Sequence, residues 1–534
     1  MAARSTPAPA ALRNGSAIPV SDLPVLPSTA FQRVVADGVK AGCELASFFA
    51  VPRSRDAFLL IAVLSEPQAA TLRVAASVVK DGWQSLTPDC EAAQLFEREI
   101  AEQYGLDPAG HPWLKPVRFQ PPMRGARTAP APTPTPAPTP TPTPAPAPEA
   151  APTPTSEAVD RPRIGDAPFF RVRGEEVHEV AVGPVHAGVI EPGHFRFQCH
   201  GEQVLHLEIS LGYQHRGVET MLAGGPDKRS LHVAETLAGD TTVAHATAYC
   251  ELLESLAGVQ APARALALRA VALELERVAN HVGDLGALAG DVGFLPTASW
   301  CGRIRGDALN LTALICGNRF GRGFVKPGGV GFDLDERREG MLAERVRTLS
   351  RDAVGAIDIL WKTPSVIARF EGTGALAAET ARSVGLTGPA ARACGIARDV
   401  RQDHPTGLWR FVQVPVSTWK TGDVFARAYV RALEVQRSLA FIQEQLEALP
   451  SGDVRVPVRP LSRGAIAVTL AEGWRGAVCH AALTDARGRF TRYKVVDPSF
   501  RNWFGLALAL RGQQISDFPL CNKSFNLSYC GHDL

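Results

Sequence analysis

The sequence contains ten cysteines but no Cys-x-x-Cys pair. The cysteines are scattered along the chain, at Cys43, Cys90, Cys199, Cys250, Cys301, Cys316, Cys394, Cys479, Cys521 and Cys530. A self-contained zinc, iron-sulfur or dithiol site needs sulfurs that are clustered by spacing or by the fold. The dispersed pattern argues against such a site and is typical of reduced thiols in a cytoplasmic protein.

Charge imbalance, nucleotide fingerprints and long apolar runs are also missing. Lys+Arg 56 against Asp+Glu 54 leaves almost no net charge, which argues against a nucleic-acid-binding protein. No G-x-G-x-x-G or G-x-x-x-x-G-K-[ST] motif predicts a nucleotide site. Apolar runs such as residues 504–510 (FGLALAL) are far shorter than the ~20 residues of a membrane-spanning helix. The first residues do not resemble a signal peptide, so we expect membrane contact only through partners.

Proline is abundant in one place and divides the chain. Residues 128–155 alternate proline with small residues, which predicts an extended, semi-rigid spacer without a core. The 534 residues are also too many for one core. We therefore expect a disordered tail (1–30), a first domain (31–122), a linker (123–162) and a second domain (163–534).

Apolar periodicity predicts an α+β protein. Phe58–Leu64 has the length of a buried strand, and Ala92–Tyr104 has helical spacing. After the linker, two alternating stretches meet at residues 200–202 as in a hairpin, and long helices are expected over 262–289 and 422–449. The predicted fold is a small α/β N-terminal module followed by a mainly α-helical bundle with small peripheral β-sheets.

Motifs in both modules resemble one group of proteins. Residues 96–116 (FEREIAEQYGLDPAGHPWLKP) are similar to the E-R-E…G…G-H-P signature of the 30-kDa subunit of respiratory complex I. The second module resembles the 49-kDa subunit of complex I. It is still more similar to the large subunit of group 4 membrane-bound nickel-iron hydrogenases of the formate-hydrogenlyase and hydrogenase-4 type. The stretches that carry this second resemblance are 183–196 (GPVHAGVIEPGHFR), 211–219 (LGYQHRGVE), 244–249 (AHATAY), 273–277 (LELER), 397–405 (ARDVRQDHP) and 510–517 (LRGQQISD).

The resemblance implies a nickel-iron centre held by four thiolates, but this chain lacks them. The first Cys-x-x-Cys motif of the family falls on Ala238 and Thr241, and the C-terminal one on Ser528 and Gly531. Soft sulfur ligands hold low-valent nickel and iron, and the single Cys530 lies one residue away from a ligand position. We therefore expect no nickel-iron centre and assign no metal ligand.

A different metal at the C-terminus is an alternative. Cys530, His532 and His245 are the residues that it would use. The simpler expectation is that the last residues form a frayed tail without a ligand role.

The complex I relatives bind a quinone head group in the equivalent cavity with a tyrosine and a histidine. The tyrosine position is occupied here by small or polar residues, with Gly239 the nearest. His186 matches one of the family's loop histidines, and His194 stands near the second. His186 and His194 are therefore the candidate quinone-loop residues, and a quinone is a possible cofactor.

Glu219 matches a glutamate of the hydrogenases that resembles a proton-transfer gate. A carboxyl group in a buried, weakly polar cavity would have a raised pKa and could exchange protons near neutral pH. The competing interpretation is an ordinary ion pair with Arg216 or Lys228. Glu219 is the first candidate catalytic residue.

Asp399 and Arg401 are the other two candidate catalytic residues. The resemblance places them at the edge of the same cavity, where their charge would couple to redox chemistry or to the membrane arm. A structural salt bridge is the alternative. A further polar series at helical spacing predicts either a buried seam or, more simply, a solvated face, and comprises Glu274, Arg277, His281 and Asp284.

Together these features predict a subunit of an oxidoreductase complex related to NADH-quinone oxidoreductase and energy-converting hydrogenases. The resemblance implies an iron-sulfur small subunit, similar to the 20-kDa subunit of complex I and carrying the cluster, and membrane-arm subunits as partners. The chain would lie on the inner face of the cell membrane and support electron transfer coupled to ion translocation. The alternative is a catalytically inactive scaffold. The electron donor, the acceptor and the translocated ion stay open.

Overall fold

The structure is a computed structural model that describes residues 8–54, 56–123, 164, 167–188 and 190–534. Residues 124–163 lie outside the described residues, and so does almost all of the predicted linker. The described residues on either side of this segment form two modules.

The first module is a sheet covered by helices. One sheet has the strand order β1-β6-β5-β4, with β3 parallel to β6, and β7 and β8 form a separate parallel pair. The predicted strand and helix are confirmed as β5 and α2. The elements are β1 (Ala10–Leu12), β2 (Ser16–Pro19), β3 (Val25–Leu26), α1 (Ser28–Lys40), β4 (Glu44–Ser54), β5 (Ala57–Glu66), β6 (Thr71–Val79), β7 (Gly82–Gln84), α2 (Gln94–Tyr104) and β8 (Asp107–Ala109).

Within the described residues, the second module has strands in three sheets. The predicted hairpin is confirmed as β10 and β11, which form an antiparallel sheet in the order β11-β10-β9. A larger antiparallel sheet has the order β16-β15-β14-β2, and β12 pairs with β13. The strands are β9 (Val177–Val182), β10 (His194–His200), β11 (Gln203–Ser210), β12 (Val325–Lys326), β13 (Gly329–Val330), β14 (Ala465–Gly473), β15 (Gly476–Thr484) and β16 (Phe490–Val496).

Helices form the bulk of the second module. The two predicted long helices are confirmed as α6 and α13, which pack against each other, while α7 and α8 complete the bundle. The helices are α3 (Val218–Leu222), α4 (Ser230–Glu235), α5 (Thr242–Ala257), α6 (Ala263–Asp291), α7 (Leu295–Cys316), α8 (Glu336–Trp361), α9 (Pro364–Phe370), α10 (Ala378–Ser383), α11 (Gly388–Arg392), α12 (Val400–Asp403), α13 (Val424–Glu447), α14 (Pro498–Ala509), α15 (Phe518–Phe525) and α16 (Tyr529–Asp533).

The N-terminal residues are more ordered than the expected tail. Within the described residues, 8–30 include three strands, and Leu12, Leu23 and Leu26 are buried. Strand β2 pairs with β14 of the second module, so that Ile18 lies opposite Ile466. Burial of the apolar residues at 12, 18, 23 and 26 stabilises this segment. The strands are too short to produce a periodic apolar pattern, so the sequence did not predict them.

The two modules share a core. Val468, Leu470, Ala481 and Phe500 of the second module pack in the same apolar cluster as the strands and α2 of the first. The two modules are therefore held together by the pairing of β2 with β14 and by these apolar contacts.

A search of the described helices finds none that is long and apolar enough to cross a membrane.

Candidate functional site

The two segments that carry the predicted metal-ligand positions meet beside α5. Ala238 and Thr241 lie in the loop before this helix, and Ser528 immediately precedes α16. Arg216 joins the two segments, because its Nη2 donates to a backbone oxygen of each, at 2.9 Å and 3.1 Å. The fold therefore brings together the positions that the resemblance pairs.

The side chains at the four positions are engaged elsewhere or carry no donor atom. Ala238 is completely buried. Thr241 Oγ1 accepts from Arg475 Nη1 at 3.2 Å. Ser528 Oγ accepts from the backbone N–H of Gly531 at 2.9 Å, which caps α16. These contacts are those of an internal protein junction.

A bidentate ion pair crosses the same junction. Arg475 binds both carboxylate oxygens of Asp240, at 2.5 Å and 2.8 Å, and its Nε donates to the backbone oxygen of Asn526 at 2.5 Å. Burial alone would raise the pKa of Asp240, but Arg475 outweighs it and lowers the pKa below its usual range. The pair links the loop before α5 to the segment before α16.

Cys530 is the thiol nearest this junction and is partly exposed. Its Sγ lies 3.4 Å from Ser528 Oγ. Burial, reinforced by the nearby charge of Glu191, raises the pKa of the Cys530 thiol to about 11. Burial therefore opposes formation of the thiolate at this position.

The C-terminal residues are packed and hydrogen-bonded, contrary to the expectation of a frayed tail. His532, Asp533 and Leu534 are buried. The backbone oxygen of Leu534 accepts three successive N–H groups at the start of α3, and the Asp533 carboxylate accepts two more, at 2.8 Å and 2.9 Å. Hydrogen bonds to residues more than 300 positions earlier in the chain hold this segment in place.

The alternative metal set is not assembled. His532 Nδ1 lies 2.9 Å from Asp533, while His245 pairs with Asp497. Within the part of the chain that the structure describes, no group of three or more His, Cys, Asp or Glu side chains could hold a metal ion.

Instead, His245 belongs to a buried hydrogen-bonded chain of four side chains. Its Nε2 lies 3.0 Å from Asp497 Oδ2, and its Nδ1 lies 3.1 Å from His480 Nε2. His480 Nδ1 continues to the Tyr493 hydroxyl at 2.7 Å. The chain ends beneath Gly531, where an added Cβ would lie 2.8 Å from the Asp497 carboxyl carbon. A side chain longer than glycine at 531 would collide with this carboxylate.

Glu219 lies in a buried ionic cluster at the interface of the modules. Its Oε2 binds Arg492 Nη1 at 2.7 Å, and its Oε1 binds Lys494 Nζ at 3.0 Å. Gln103 of the first module donates to the same carboxylate at 3.3 Å. The expected partners, Arg216 and Lys228, are not the ones that the structure provides.

These contacts overturn the expected raised pKa of Glu219. Burial alone would raise it, but the positive charges of Arg492 and Lys494 outweigh burial and hold the pKa well below its usual range. The contacts with Arg492 and Lys494 thus favour the ionised form of Glu219 and a role in charge pairing.

The same cluster extends into the first module. Lys494 Nζ also binds both oxygens of Glu99, at 2.7 Å and 2.6 Å. Glu99 in turn pairs with Arg118, whose Nε donates to the backbone oxygen of His532 at 2.7 Å. The E-R-E and RGVE motifs, read separately in the sequence, thus meet through one lysine.

Asp399 and Arg401 form a second buried cluster. Arg401 binds Asp399 through Nη2 at 2.6 Å and Nε at 2.9 Å, and its Nη1 binds Glu274 at 3.0 Å. Burial alone would raise the pKa of Asp399, but Arg401 outweighs it and lowers the pKa. Asp399 also caps α12 by accepting from the backbone N–H of Arg401. The structure thus shows the salt bridge that was the alternative interpretation of this pair, and a catalytic role for it stays a prediction.

The polar series on α6 is a buried seam rather than a solvated face. Arg277 binds Glu274 at 3.1 Å, and His281 Nε2 binds Glu434 of α13 at 2.8 Å. Arg392 joins Glu434 at 2.9 Å. Periodicity could not distinguish the two alternatives, because the covering partners come from α11 and α13.

His186 and His194 close one loop between β9 and β10. His186 Nε2 lies 2.9 Å from the backbone oxygen of Gly193, and His194 Nδ1 lies 3.2 Å from that of Gly183. Burial lowers the pKa of His194. His186, near the start of the loop, therefore bonds to its end, and His194, at the end, bonds to its start. The two contacts fix the conformation of the loop.

Comparison of the sequence with known proteins identifies the family of this chain. Residues 33–129 match the model of the respiratory-chain NADH dehydrogenase 30 Kd subunit, and residues 291–463 match that of the 49 Kd subunit. Formate hydrogenlyase subunit 5 of Escherichia coli (strain K12) is 30% identical over 476 residues, which are 86% of this chain and 78% of that protein. The chain belongs to the family of fused, formate-hydrogenlyase-type large subunits.

Other relatives agree with this family assignment. The carbon monoxide-induced hydrogenase of Rhodospirillum rubrum is 32% identical over 351 residues, covering 65% of this chain and 97% of that protein. The membrane-bound sulfane sulfur reductase, an archaeal respiratory membrane complex, contains a chain with the same fold, at a TM-score of 0.63 and 23% identity. That likeness covers 67% of this chain and 99% of the other.

The nickel-iron centre that the family implies does not fit the residues of this large subunit. Ala238 and Gly531 have no donor atom, and the Thr241 and Ser528 hydroxyls are already hydrogen-bonded. The sequence has no Cys-x-x-Cys pair to supply the four thiolates of such a centre, and Cys530 is the cysteine beside Ser528 and Gly531.

Sequence reasoning missed the charged residues that surround the site in this large subunit. Arg475, Arg492 and Lys494 lie on or beside β15 and β16, outside every motif that carried the resemblance. Glu191, whose charge acts on Cys530, was visible within the EPGH stretch that ends at His194. In the same stretch, the resemblance indicated His194 as the candidate residue.

Proposed function

We propose that this chain is the large subunit of a membrane-associated oxidoreductase complex that works without a nickel-iron centre. It supports electron transfer, with a quinone as candidate acceptor, coupled to ion translocation. One observation carries this proposal: the fold retains the junction of the two ligand segments, while Ala238, Thr241, Ser528 and Gly531 supply no thiolate.

The proposed partners are an iron-sulfur small subunit, which carries the cluster, and the membrane-arm subunits. The chain would then lie peripherally on the inner face of the cell membrane. Val185 and Ile190, which are 75% and 57% exposed, lie on the loop that also carries Glu191. Large exposed apolar side chains beside a polar site are typical of a protein-protein contact. They support a partner at this loop.

Metal analysis of the purified complex tests the absence of nickel. We expect iron and acid-labile sulfide from the small subunit but only substoichiometric nickel, because no thiolate cage is available. The iron and sulfide serve as the internal control for an intact complex. Stoichiometric nickel would overturn the assignment of the four ligand positions.

A catalytically inactive scaffold is the second candidate function. The observation that favours it is the complete pairing of two predicted catalytic carboxylates. Glu219 is neutralised by Arg492 and Lys494, and Asp399 by Arg401. The cluster at Glu219 links the two modules, and the Asp399–Arg401 pair lies within the second; neither arrangement requires any chemistry.

Redox turnover with matched variants separates the two functions. Substitution at Glu219 or Asp399 would break a buried ion pair, so lost activity there would not identify a catalytic role. Glu191→Gln and Cys530→Ser alter the edge of the junction beside Ser528 without removing a buried ion pair, and Asp358→Asn in an exposed pair is the control. Reduced viologen and a water-soluble quinone serve as donor and acceptor. Lower turnover in an assembled complex supports the redox function, and unchanged turnover supports the scaffold.

A further inference from the structure

A cleft of about 260 Å³ lies between the two modules, away from the junction described above. The first module contributes residues 42–45, and the second contributes residues 385–386 and 395–398. The walls are largely apolar, through side chains such as Leu45, Leu386 and Ile396. Arg382 and Ala397 on its rim are exposed, so the cleft is open to water.

The cleft leads to a smaller polar cavity of about 20 Å³. The two share Glu44 and Arg398 as lining residues, and this pair is 3.6 Å apart. Behind it, the smaller cavity is lined by Asp403, His404 and Glu472, among others. A space of this size holds about one water molecule.

Two unpaired polar atoms belong to residues that line the small cavity. Arg501 Nε and His404 Nδ1 are buried and have no hydrogen-bond partner. Arg501 is 4% exposed, and the nearby charge of Glu44 acts on its guanidinium. Buried polar groups without partners are rare in proteins, and an ordered water is the usual way to satisfy them. The chemistry of the cavity therefore fits water.

We propose that this interface is a proton entrance, in which water in the cleft delivers protons through Asp403 to the buried carboxyl group of Glu472. In the transfer, a hydronium ion at the end of the cleft beside Glu44 and Arg398 passes a proton, through the water of the small cavity, to the Asp403 carboxylate and becomes water. Asp403 then releases the proton through the cavity water to a Glu472 carboxylate oxygen. No other reactant is consumed.

The charges around the two carboxyl groups suit this role. Burial raises the pKa of Asp403 to about 6, opposed by Arg398 and reinforced by Glu44. Burial and the charge of Asp399 raise the pKa of Glu472 to about 7, opposed by Arg392 and Arg277. Both groups can therefore bind and release protons near neutral pH.

Beyond Glu472 the contacts continue into the buried seam. Arg392 Nη1 binds Glu472 at 2.7 Å and its Nε binds Glu434, which contacts His281. His281 packs edge-on against Trp474, whose indole N–H donates to the backbone oxygen of Asp240. The proton entrance rests on the proposed redox function, because a redox cavity takes up or releases protons. The proposed path ends at the buried seam on α6. This seam borders the junction between the loop before α5 and the segment before α16.

Infrared spectroscopy of the full chain in H₂O and D₂O tests the entrance without any redox turnover. Glu472→Gln assigns the protonated-carboxyl band of Glu472, whose shift in D₂O gives its exchange rate. We expect Asp403→Asn to slow this exchange at least about tenfold, because the amide cannot pass on a proton. The Asn oxygen still accepts the backbone N–H of Asp399, as Asp403 does at 3.1 Å.

Glu251→Gln is the matched control. Glu251 also has a pKa raised by burial to about 7, but it lines a different cavity, beside Thr406. This variant should lose its own band and leave the exchange at Glu472 unchanged. Should Asp403→Asn fail to fold, Glu44→Gln is expected to slow the exchange as well, because Glu44 lines both the cleft and the small cavity and its charge helps Asp403 to bind a proton. Unchanged exchange in the folded variant, or no protonated Glu472 band at neutral pH, would overturn the entrance and leave the redox proposal untouched.

Discussion

Glu219 has a different chemistry from that expected of an isolated buried carboxyl group. Two cations from β16, Arg492 and Lys494, and an amide from α2 surround it. Burying a lone carboxylate in low-dielectric surroundings costs free energy. Once it is paired with cations, the same surroundings strengthen the attraction between the charges. The residue therefore links the modules through charge.

Glu219→Gln should destabilise the chain by about 3–5 kcal/mol, because Arg492 and Lys494 lose a buried counter-charge. Chemical denaturation measures the change. The folded pKa of Glu219 is depressed below the value of 4.5 for a free glutamate, so its stabilising contribution is present above about pH 4.5 and is lost as the pH falls. The difference between the wild type and the variant should accordingly shrink in acid.

Asp307→Asn is the control for this prediction. Asp307 pairs with Arg303 at a half-exposed site on α7, and we expect a change within about 0.5 kcal/mol. Equal effects of the two substitutions would contradict a structural role for the buried pair at Glu219.

At the scale of elements, the short helix α16 organises the loop that precedes α3. Asp533 accepts the backbone N–H groups of Gly212 and Gln214, and Leu534 accepts those of residues 216–218. Five residues would not form a stable helix alone. Tertiary hydrogen bonds hold it, and it holds the loop in return.

Asp533→Ala should expose the loop, because two buried N–H groups lose a charged acceptor at a cost of about 1–3 kcal/mol each. Hydrogen exchange at Gly212 and Gln214 should accelerate, and limited proteolysis should cut near residues 212–218. The control is Asp358→Ala, which removes a half-exposed carboxylate 3.8 Å from Lys362. Protection that is the same in both variants would refute this dependence.

At the scale of the whole molecule, the two modules form one body with a shared core. The pairing of β2 with β14, the apolar cluster and the contact of Lys494 with Glu99 all cross the interface. The covalent connection through residues 124–163 is therefore one of several links.

Cleavage at a protease site introduced between residues 124 and 163 should leave the two fragments associated. Strand pairing and the shared apolar core hold them together, so that they should co-elute in gel filtration. Combining cleavage with Lys494→Ala, which leaves Glu99 and Glu219 without their common cation, should promote separation. Fragments that separate after cleavage of the wild type would show that the linker is required.

Several features followed from the sequence alone. The spacing of apolar residues predicted α2, α6 and α13, because helix and strand periods are local properties. The order of the motifs predicted the family. The residue types at positions 238, 241, 528 and 531 predict that the thiolate ligands are missing, which metal analysis would test. A salt bridge was one of two alternatives for Asp399 and Arg401, and the structure shows that the two side chains pair with each other.

Other features were decided only by the tertiary structure. The pKa direction of Glu219 depends on Arg492 and Lys494, more than 270 residues away in the chain. The burial of the α6 polar series and the packing of the C-terminus depend on partners equally remote. Electrostatic energies are set by distance in space and by burial, and neither can be read from spacing along the chain. The sequence thus determined which groups this protein has, and the fold decided which of them are charged.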